Sequence, residues 1–495
     1  MAYRTLAKSG FVGPDGKPLR LANYAYEGAS PGRRTAGWFA PQSGPNAALE
    51  QDLNTLRARS RASIRNNPWL AKGIGSLVAN EVGTGIVPRF TAPDADFRKA
   101  ALELWNDWAD EADADGVLNI YGLQALAVRA RKEGGECFVR LRPRRLEDGL
   151  AVPLQVQVLE AEMVPVHHNV PAKNGQNEIR QGIELNRLGR RVAYWMHRQH
   201  PGERAGTIST NDLVRVPADV VIHHYLPLRP GQLRGVPDTA QALIKAFSFD
   251  KYDDAELTRK ETRAQYTGFI RRPDYGEDEY KYDPFTGDTL SKDADGVPMT
   301  DLQPGTFPNL FPGEEVEMFP ADDLGGAYAD FVRQQMMGIA AGLGMPYELL
   351  TGDYRGINDR LVRAILNEFH RQVEQWQDHA TIFQVCRGIS APWIDTAVLA
   401  GRLPAPDYAS RRKQYQRVEW RPQAWAYVHP LQDVQAKKEA VKSGFESRAA
   451  VVAARGWDVE EVDRQNAEDA ARAAGLGLNY DTNTTLTEEE DDAQA

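Results

Sequence analysis

The chain has 495 residues, 42% hydrophobic and 26% charged, with ten Trp and eighteen Tyr, which is too long for one ordinary core and predicts two or more subdomains. Its 59 Lys and Arg against 69 Asp and Glu give a formal charge of -10, which excludes a uniformly basic, non-specific DNA binder. Two distant cysteines, Cys137 and Cys386, exclude a disulfide framework and fit a reducing cytosol; with no run of roughly 18 apolar residues and no apolar signal-type core in MAYRTLAKSGFVGPDGKPLRL, a soluble protein made in the cytoplasm is expected.

Residues 1–48, with GASPGRRTAG and APQSGPNAAL, read as an extended arm that orders only against a neighbour. A helix is expected over 46–66, carrying Arg57, Arg59, Arg61 and Arg65, and Asn67-Pro68 breaks it. WLAKGIGSLVANEVG resumes helically and stops at Gly83-x-Gly85. In FRKAALELWNDWADEA, Leu102, Trp105 and Trp108 stand at helical spacing. YGLQALAVRARKEGG is a further amphipathic helix with Gly134-Gly135 as its stop. ECFVRLRPR, LQVQVLEAEMV, GIELNRLGRRVAYWMHR and DVVIHHYLP carry strand patterning, with a hairpin turn over Asn186 to Gly189. Residues 50–236 therefore read as an α+β domain.

The pattern changes at Pro237. DTAQALIKAFSFDKYDDAELTRKETRAQYTGF predicts a long helix, apolar early and charged late. Residues 271–320 are rich in Pro, Gly, Asp and Tyr, with short strands at GFIRR and EEVEMFP. A second helix covers 328–343, and Gly344, Pro346, Gly352 and Gly356 make the next stretch a loop. NDRLVRAILNEFHRQVEQWQDHATIFQVCRGI predicts a third long helix with Asn358 as its N-cap. Helical segments recur after Pro430, and the tail TNTTLTEEEDDAQA is acidic and expected to be disordered.

Catalytic signatures are absent: no G-x-x-x-x-G-K-[ST], HExxH, G-x-S-x-G or CxxC. Gly83-Thr-Gly85 and Gly342-Leu-Gly344 read as turn chemistry. Glu111, Asp113 and Asp115 before Gly116 faintly resemble a calcium loop, but the twelfth position is Gly122 rather than Glu, so the template fails. His167-His168 and His223-His224 fall in strand-like segments, where neighbours point to opposite faces and cannot chelate one ion. Cys137 reads as a small buried residue. The groups Arg57, Arg59, Arg61 and Arg65; Arg142, Arg144 and Arg145; and Arg411, Arg412, Lys413 and Arg417 read as solvated faces or subunit contacts, with phosphate contact as the alternative.

Six segments in order resemble the lambda-type portal family of tailed bacteriophages. They are RARSRASIRNNPWLAKGIGSLVANEVGTGI; GGECFVRLRP with LQVQVLEAEMV; VPADVVIHHYLPLRPGQLRGVPDTAQALI; GFI; FPNLFPGEEVEMFPAD; and GIAAGLGMPYELLTGDYRGINDRLVRAILNEF. The resemblance implies a non-enzymatic head-tail connector of α+β class. Its subunits form a ring, typically of twelve, for packaging and ejecting double-stranded DNA. On this likeness 1–48 is the arm, 49–236 the wing, 237–270 the first stem helix and 271–320 the clip. Residues 321–349 are the second stem helix, 350–359 the channel loop, 360–429 a long wing helix with its following segment, 430–478 the crown and 479–495 the tail.

The resemblance also implies partners: further copies of the chain, DNA in the channel, the large terminase subunit, capsid or scaffold proteins and a head-completion adaptor, with no membrane and no cofactor. Arg355, Asn358, Arg360 and Arg363 are the candidate channel residues, with Arg355, Asp359 and Arg360 departing from the small polar or aromatic residues expected there. Asp274, Glu277, Asp278, Glu279, Asp293 and Asp295 are the candidate docking residues of the clip; a solvated loop is the alternative. Two other readings stand beside this one: a metal-dependent DNA-processing enzyme whose carboxylates converge without a local motif, and a monomeric assembly adaptor.

Overall fold

The computed structural model describes residues 33–173, 175–203, 212–265, 325–425 and 430–478, with Ala29, Thr289 and short strands inside 268–318. Helix α1 (Pro45–Asn66) ends where Asn67 takes extended backbone and its side chain caps α2 (Pro68–Glu81), accepting from the amides of Trp69 and Leu70. That exchange of caps is what an Asn-Pro step makes favourable. After β1 (Val87–Phe90), α3 (Ala95–Ala109) and α4 (Ile120–Gly134) follow. Gly135, at φ +85°, ends α4 in the left-handed conformation.

Two antiparallel sheets come next. The first has the order β3-β2-β8, from β2 (Glu136–Pro143), β3 (Leu154–Glu160) and β8 (Val221–Tyr225). The second is a meander of β4 (Glu178–Arg180), β5 (Ile183–Leu185), β6 (Arg191–Met196) and β7 (Val214–Pro217). The turn joining β5 to β6 closes on Asn186, whose side chain accepts from the amides of Leu188 and Arg190.

One face of β2 sends Cys137, Val139 and Leu141 into a core built around Trp105, Trp108 and Trp393. Trp105 and Trp393 meet edge to face at 5.0 Å. The other face sends Phe138 against Tyr194, Ile183 and Val216 of the second sheet.

Helix α5 (Leu243–Gln265) starts six residues later than the Pro237 boundary, because 238–242 form a turn. Short strands β9 (Gly268–Arg271), β10 (Ser291–Lys292), β11 (Pro298–Met299) and β12 (Glu315–Met318) pair as β9 with β12 and β10 with β11. Helix α6 (Gly325–Leu343) returns antiparallel to α5: Gly342 lies against Ala242 at one end, and Phe331 against Tyr252, 4.7 Å apart, further along. A Cβ on Gly342 would stand 3.1 Å from the backbone of Ala242, so this glycine serves a close helix contact and not a turn. Gly344, at φ +70°, does lie in a turn.

Helix α7 (Tyr347–Thr351) occupies the start of the stretch expected to be loop, which shortens that loop to 352–358. Helix α8 (Asp359–Trp376) runs on through a π-helical segment, Gln377–Cys386, into α9 (Arg387–Leu399). α10 (Tyr408–Tyr415) precedes β13 (Val418–Arg421), which pairs back with β1. Helices α11 (Pro430–Lys442), α12 (Arg448–Ala454) and α13 (Val459–Gly475) close the described chain. Parts of α1, α2, α5, α6, α7 and α8 share one apolar core, with Ile74, Leu77, Ala246, Met336, Ile339 and Val373 at its centre.

Candidate functional site

The loop between α7 and α8 brings the sequence-predicted channel residues together. Gly352 and Gly356 take φ +77° and +75°, which folds the intervening residues into a tight projection. Within it Arg355 turns back on Asp353, donating from Nε at 2.7 Å and from Nη2 at 2.8 Å, while Tyr347 donates its hydroxyl to the same carboxylate at 3.1 Å. These bonds, the Arg355 side chain first, hold the Asp353 carboxyl well below the usual range. The Arg355 side chain is 87% exposed.

Asn358 serves as the N-cap of α8, its side chain accepting from the Leu361 amide at 3.0 Å. Arg360 is exposed on the first turn. Arg363 is half-buried and pairs with Asp359 one turn back at 3.2 Å. Arg355 in the loop is thus followed, on the first turns of α8, by exposed Arg360 and partly covered Arg363. The clip candidates Asp274, Glu277, Asp278, Glu279, Asp293 and Asp295 lie outside the described residues.

The helix behind this loop is anchored by buried charge. Glu81, at the end of α2, accepts from Arg131 at 2.7 Å, lies 2.9 Å from Lys132 Nζ and accepts from the Thr381 hydroxyl at 2.6 Å. Burial alone would push its carboxyl up; Arg131 and Lys132 outweigh that and pull it to about 2. Gln377 donates to the Glu81 carbonyl at 2.9 Å, and Gln384 bridges the backbone of Tyr225 in β8, accepting from its amide and donating to its carbonyl, both at 3.0 Å. The π-helical segment is thus fixed to α2 on one side and to the first sheet on the other.

A second buried cluster joins α1 to that sheet. Glu136 accepts from Arg57 and from Arg234, and its other oxygen lies 2.8 Å from His223 Nε2. Arg234 also donates to the carbonyls of Gln181 at 2.7 Å and Val164 at 2.9 Å. Burial opposes the Glu136 charge, yet Arg234, Arg57 and His223 hold the carboxyl well below its ordinary value. Burial lowers Arg57 to about 10. It also lowers His223 to about 4 and His224 to about 3. Arg57, expected at a solvated face or subunit contact, is therefore a core residue; Arg61 pairs with Glu162, while Arg59 and Arg65 are exposed. In the third basic group Arg412 pairs with Asp395.

His223 and His224 do point to opposite faces, one to Glu136 and the other to Gln384. His167 and His168 lie in a turn and not in a strand. Asp113 spends its carboxylate on backbone amides, accepting from Asp115 at 3.0 Å and from Val117 and Leu118 at 2.9 Å. Among the described residues Glu160, Glu162 and His200 bring ligand-type atoms within 4.8 Å of one another. Arg61 already binds Glu162 and lies 3.5 Å from Glu160. His200 Nδ1 accepts from the Gly202 amide at 3.1 Å, and its Nε2 lies 2.9 Å from a Glu160 oxygen without a hydrogen bond between them. Arg61 thus sits against both carboxylates of the group. Cys137 and Cys386 are both buried free thiols, pushed up by burial.

The start of α5 is apolar on two opposite faces. Ala242, Ala246 and Phe249 enter the shared helical core, while Ile244 and Phe247 on the far side are 80% and 60% exposed. On this side the Lys251 ammonium lies over the Phe247 ring at 4.4 Å.

The family model described as phage portal protein, lambda family, matches residues 31–377. A probable portal protein of Halomonas phage phiHAP-1 is 27% identical over 446 residues, spanning 87% of this chain and 82% of that protein. Portal protein B of Escherichia phage lambda is 22% identical over 520 residues, spanning 94% and 93%. Among solved structures, a chain in the neck of an empty gene transfer agent particle, computed with C6 symmetry, aligns with a TM-score of 0.46 at 13% identity, covering 84% of this chain and 94% of that one. The neck of the native particle, computed with C12 symmetry, gives a TM-score of 0.45 at 14% identity, covering 84% and 95%.

Proposed function

Because this chain belongs to the lambda family of phage portal proteins, we propose that its copies close head to tail into a ring whose central opening passes double-stranded DNA during packaging and ejection. The observation that carries this reading is the doubly apolar start of α5. Ile244 and Phe247 face away from the subunit's own core, and burying two such side chains is worth about 1.5–3 kcal/mol each. A heterologous contact with a neighbouring copy covers them and, repeated around an axis, leaves no copy uncovered.

In this reading 49–236 form the wing, and the antiparallel pair within 237–270 and 321–349 forms the stem. Residues 271–320 form the clip that docks the large terminase subunit and later a head-completion adaptor. The loop within 350–359 faces the channel, 360–429 return across the wing, and 430–478 make the crown inside the head. The assembled ring resides in the virion at the portal vertex, where it meets capsid or scaffold proteins. Its role is structural, with ATP hydrolysis supplied by the terminase.

A conduit must not grip its cargo. Each phosphate neutralised by a cation adds a salt-dependent slope of about -0.9, so a strongly basic lumen would hold the duplex still. Arg355 is already paired with Asp353 inside its own loop, and it lends a phosphate only part of its field. Together with exposed Arg360 it offers weak, repeated contacts that permit sliding. Imaging of the purified protein tests the reading: an annulus with an open centre supports it, and a solitary 55.1 kDa chain at high concentration contradicts it.

A further inference from the structure

The arginines of β2 have no part in the ring reading. Arg140 and Arg142 in β2, and Arg144 one residue past its end, alternate along the chain and stand on one face of the first sheet. Earlier on that face, Glu136 and Phe138 lie beneath the second sheet, with Phe138 5.5 Å from the Tyr194 ring. Past Phe138 the exposure rises, until Arg144 is open to solvent.

The partners of these arginines are amides. Arg142 donates from Nε to Gln157 at 3.1 Å, and Arg144 donates to Gln155 at 2.8 Å. The glutamines are themselves held: Gln155 donates to the carbonyls of Glu111 at 2.8 Å and Asp113 at 3.0 Å, and Gln157 donates to Asp115 at 2.9 Å. Asp115 is thus the carboxylate tied into the row, and it is bound to an amide, not to a guanidinium. The Arg140 side chain makes no hydrogen bond or ion pair among the described residues. Partial burial, and then repulsion from Arg140 and Arg144, push the Arg142 guanidinium down. Elsewhere Arg57, Arg61, Arg131, Arg215, Arg234 and Arg412 each face a carboxylate. A row of cations propped on amides is arranged for an anion from outside the sheet, and guanidinium–carboxylate pairs are the strong, two-pronged form of that contact.

We propose that Arg140, Arg142 and Arg144 form a docking ladder for the chain's own acidic run, Glu488-Glu489-Glu490-Asp491-Asp492. Charge and spacing both match. In an extended segment Glu488, Glu490 and Asp492 project to one side at intervals of about 6.8 Å, the same period-two repeat that spaces the arginines. Nine residues separate the run from Leu478, where the described chain ends, and nine residues span up to about 30 Å. A tethered run whose linker spans the gap to the row acts at an effective concentration in the millimolar range, which a free anion does not. A phosphodiester strand is the rival ligand, and the test separates the two.

The probe is a fluorescent peptide, TLTEEEDDAQA, titrated onto full-length protein in three forms. They are the native chain; a neutral-tail variant with Glu488→Gln, Glu489→Gln, Glu490→Gln, Asp491→Asn and Asp492→Asn; and that variant with Arg140→Gln, Arg142→Gln and Arg144→Gln added. The expected result is that the neutral-tail variant binds at least tenfold tighter than the variant lacking the ladder. The native chain should fall between them, because its own tail competes. A short DNA duplex is titrated in parallel, and circular dichroism verifies that the ladder variant is folded. Equal peptide binding with and without the ladder, no peptide binding at all, or ladder-dependent binding of the duplex alone would overturn the proposal.

Discussion

Glu136, at the first position of β2, accepts a hydrogen bond of 2.7 Å from Arg234, and neither side chain touches solvent. Arg57 adds a second guanidinium from α1, so one carboxylate ties together the first helix, the first sheet and the chain leading into α5. Replacing Glu136 by Gln removes the negative charge and leaves two buried guanidiniums beside a neutral amide. Breaking a buried pair from one side costs about 3–5 kcal/mol. Denaturant unfolding of Glu136→Gln should show a loss in that range, whereas Arg59→Gln on the exposed face of α1 should change stability by less than about 0.5 kcal/mol.

The two strand histidines predict acid sensitivity. Burial lowers His223 to about 4 and His224 to about 3 from an ordinary 6.5. Both stay neutral in the folded chain at a pH where the unfolded chain has taken up protons. Stability is therefore full above about 6.5 and falls as the pH drops from there towards 4 and 3. His223 faces Glu136 and stacks on Phe138 and Tyr225; His224 faces Gln384 and lies within the field of Arg131, Lys132 and Glu81. Glu81, pulled to about 2, adds its own loss only below about 4.5. Melting temperatures recorded from pH 7 to 4 should fall steadily, and His224→Gln should flatten the upper part of that curve. A flat native profile across this window would contradict the burial argument.

Gly235 crosses Gly135 so closely that a Cβ on it would stand 2.0 Å from the Gly135 carbonyl oxygen, while its amide donates to Glu136 at 2.9 Å. Gly235→Ala must push two backbone segments apart and strain that bond, at a cost of about 1–3 kcal/mol. Gly149→Ala, with open space around it but φ +75°, isolates the backbone cost alone and should lose only about 1 kcal/mol. Thermal unfolding of the two variants distinguishes packing from backbone strain.

Charge reversal of Arg355, Arg360 and Arg363 to Glu should impair DNA packaging or retention while leaving particle assembly unchanged, because none of the three contributes to the apolar cores. A packaging assay with purified particles checks this, and normal packaging by the triple variant would remove these residues from the DNA path.

Local signals made much of the chain readable. α1 was expected over 46–66 and spans Pro45–Asn66, since Asn67-Pro68 is a boundary written in covalent geometry. The turn at Asn186 and the capping role of Asn358 were legible for the same reason. The charged clusters were not. Arg57 and Glu136 are 79 residues apart, and Glu81 and Thr381 are 300 apart, so a surface-type residue becomes a core residue through a partner that no local window contains. The π-helical turn at Gln377–Cys386 hid inside one long helical pattern, because its residues also satisfy α-helical spacing. The turn at His167-His168 carries strand-like patterning in the sequence, because two adjacent imidazoles have no directional signal of their own.

The ring itself is tested most directly through Ile244 and Phe247. Native mass spectrometry of the full-length protein should give a multiple of 55.1 kDa for the native chain and the single-chain mass for Ile244→Glu/Phe247→Glu, with both forms equally folded by circular dichroism. A native chain that stays at the single-chain mass, or a double variant that assembles as well as the native chain, would contradict the account.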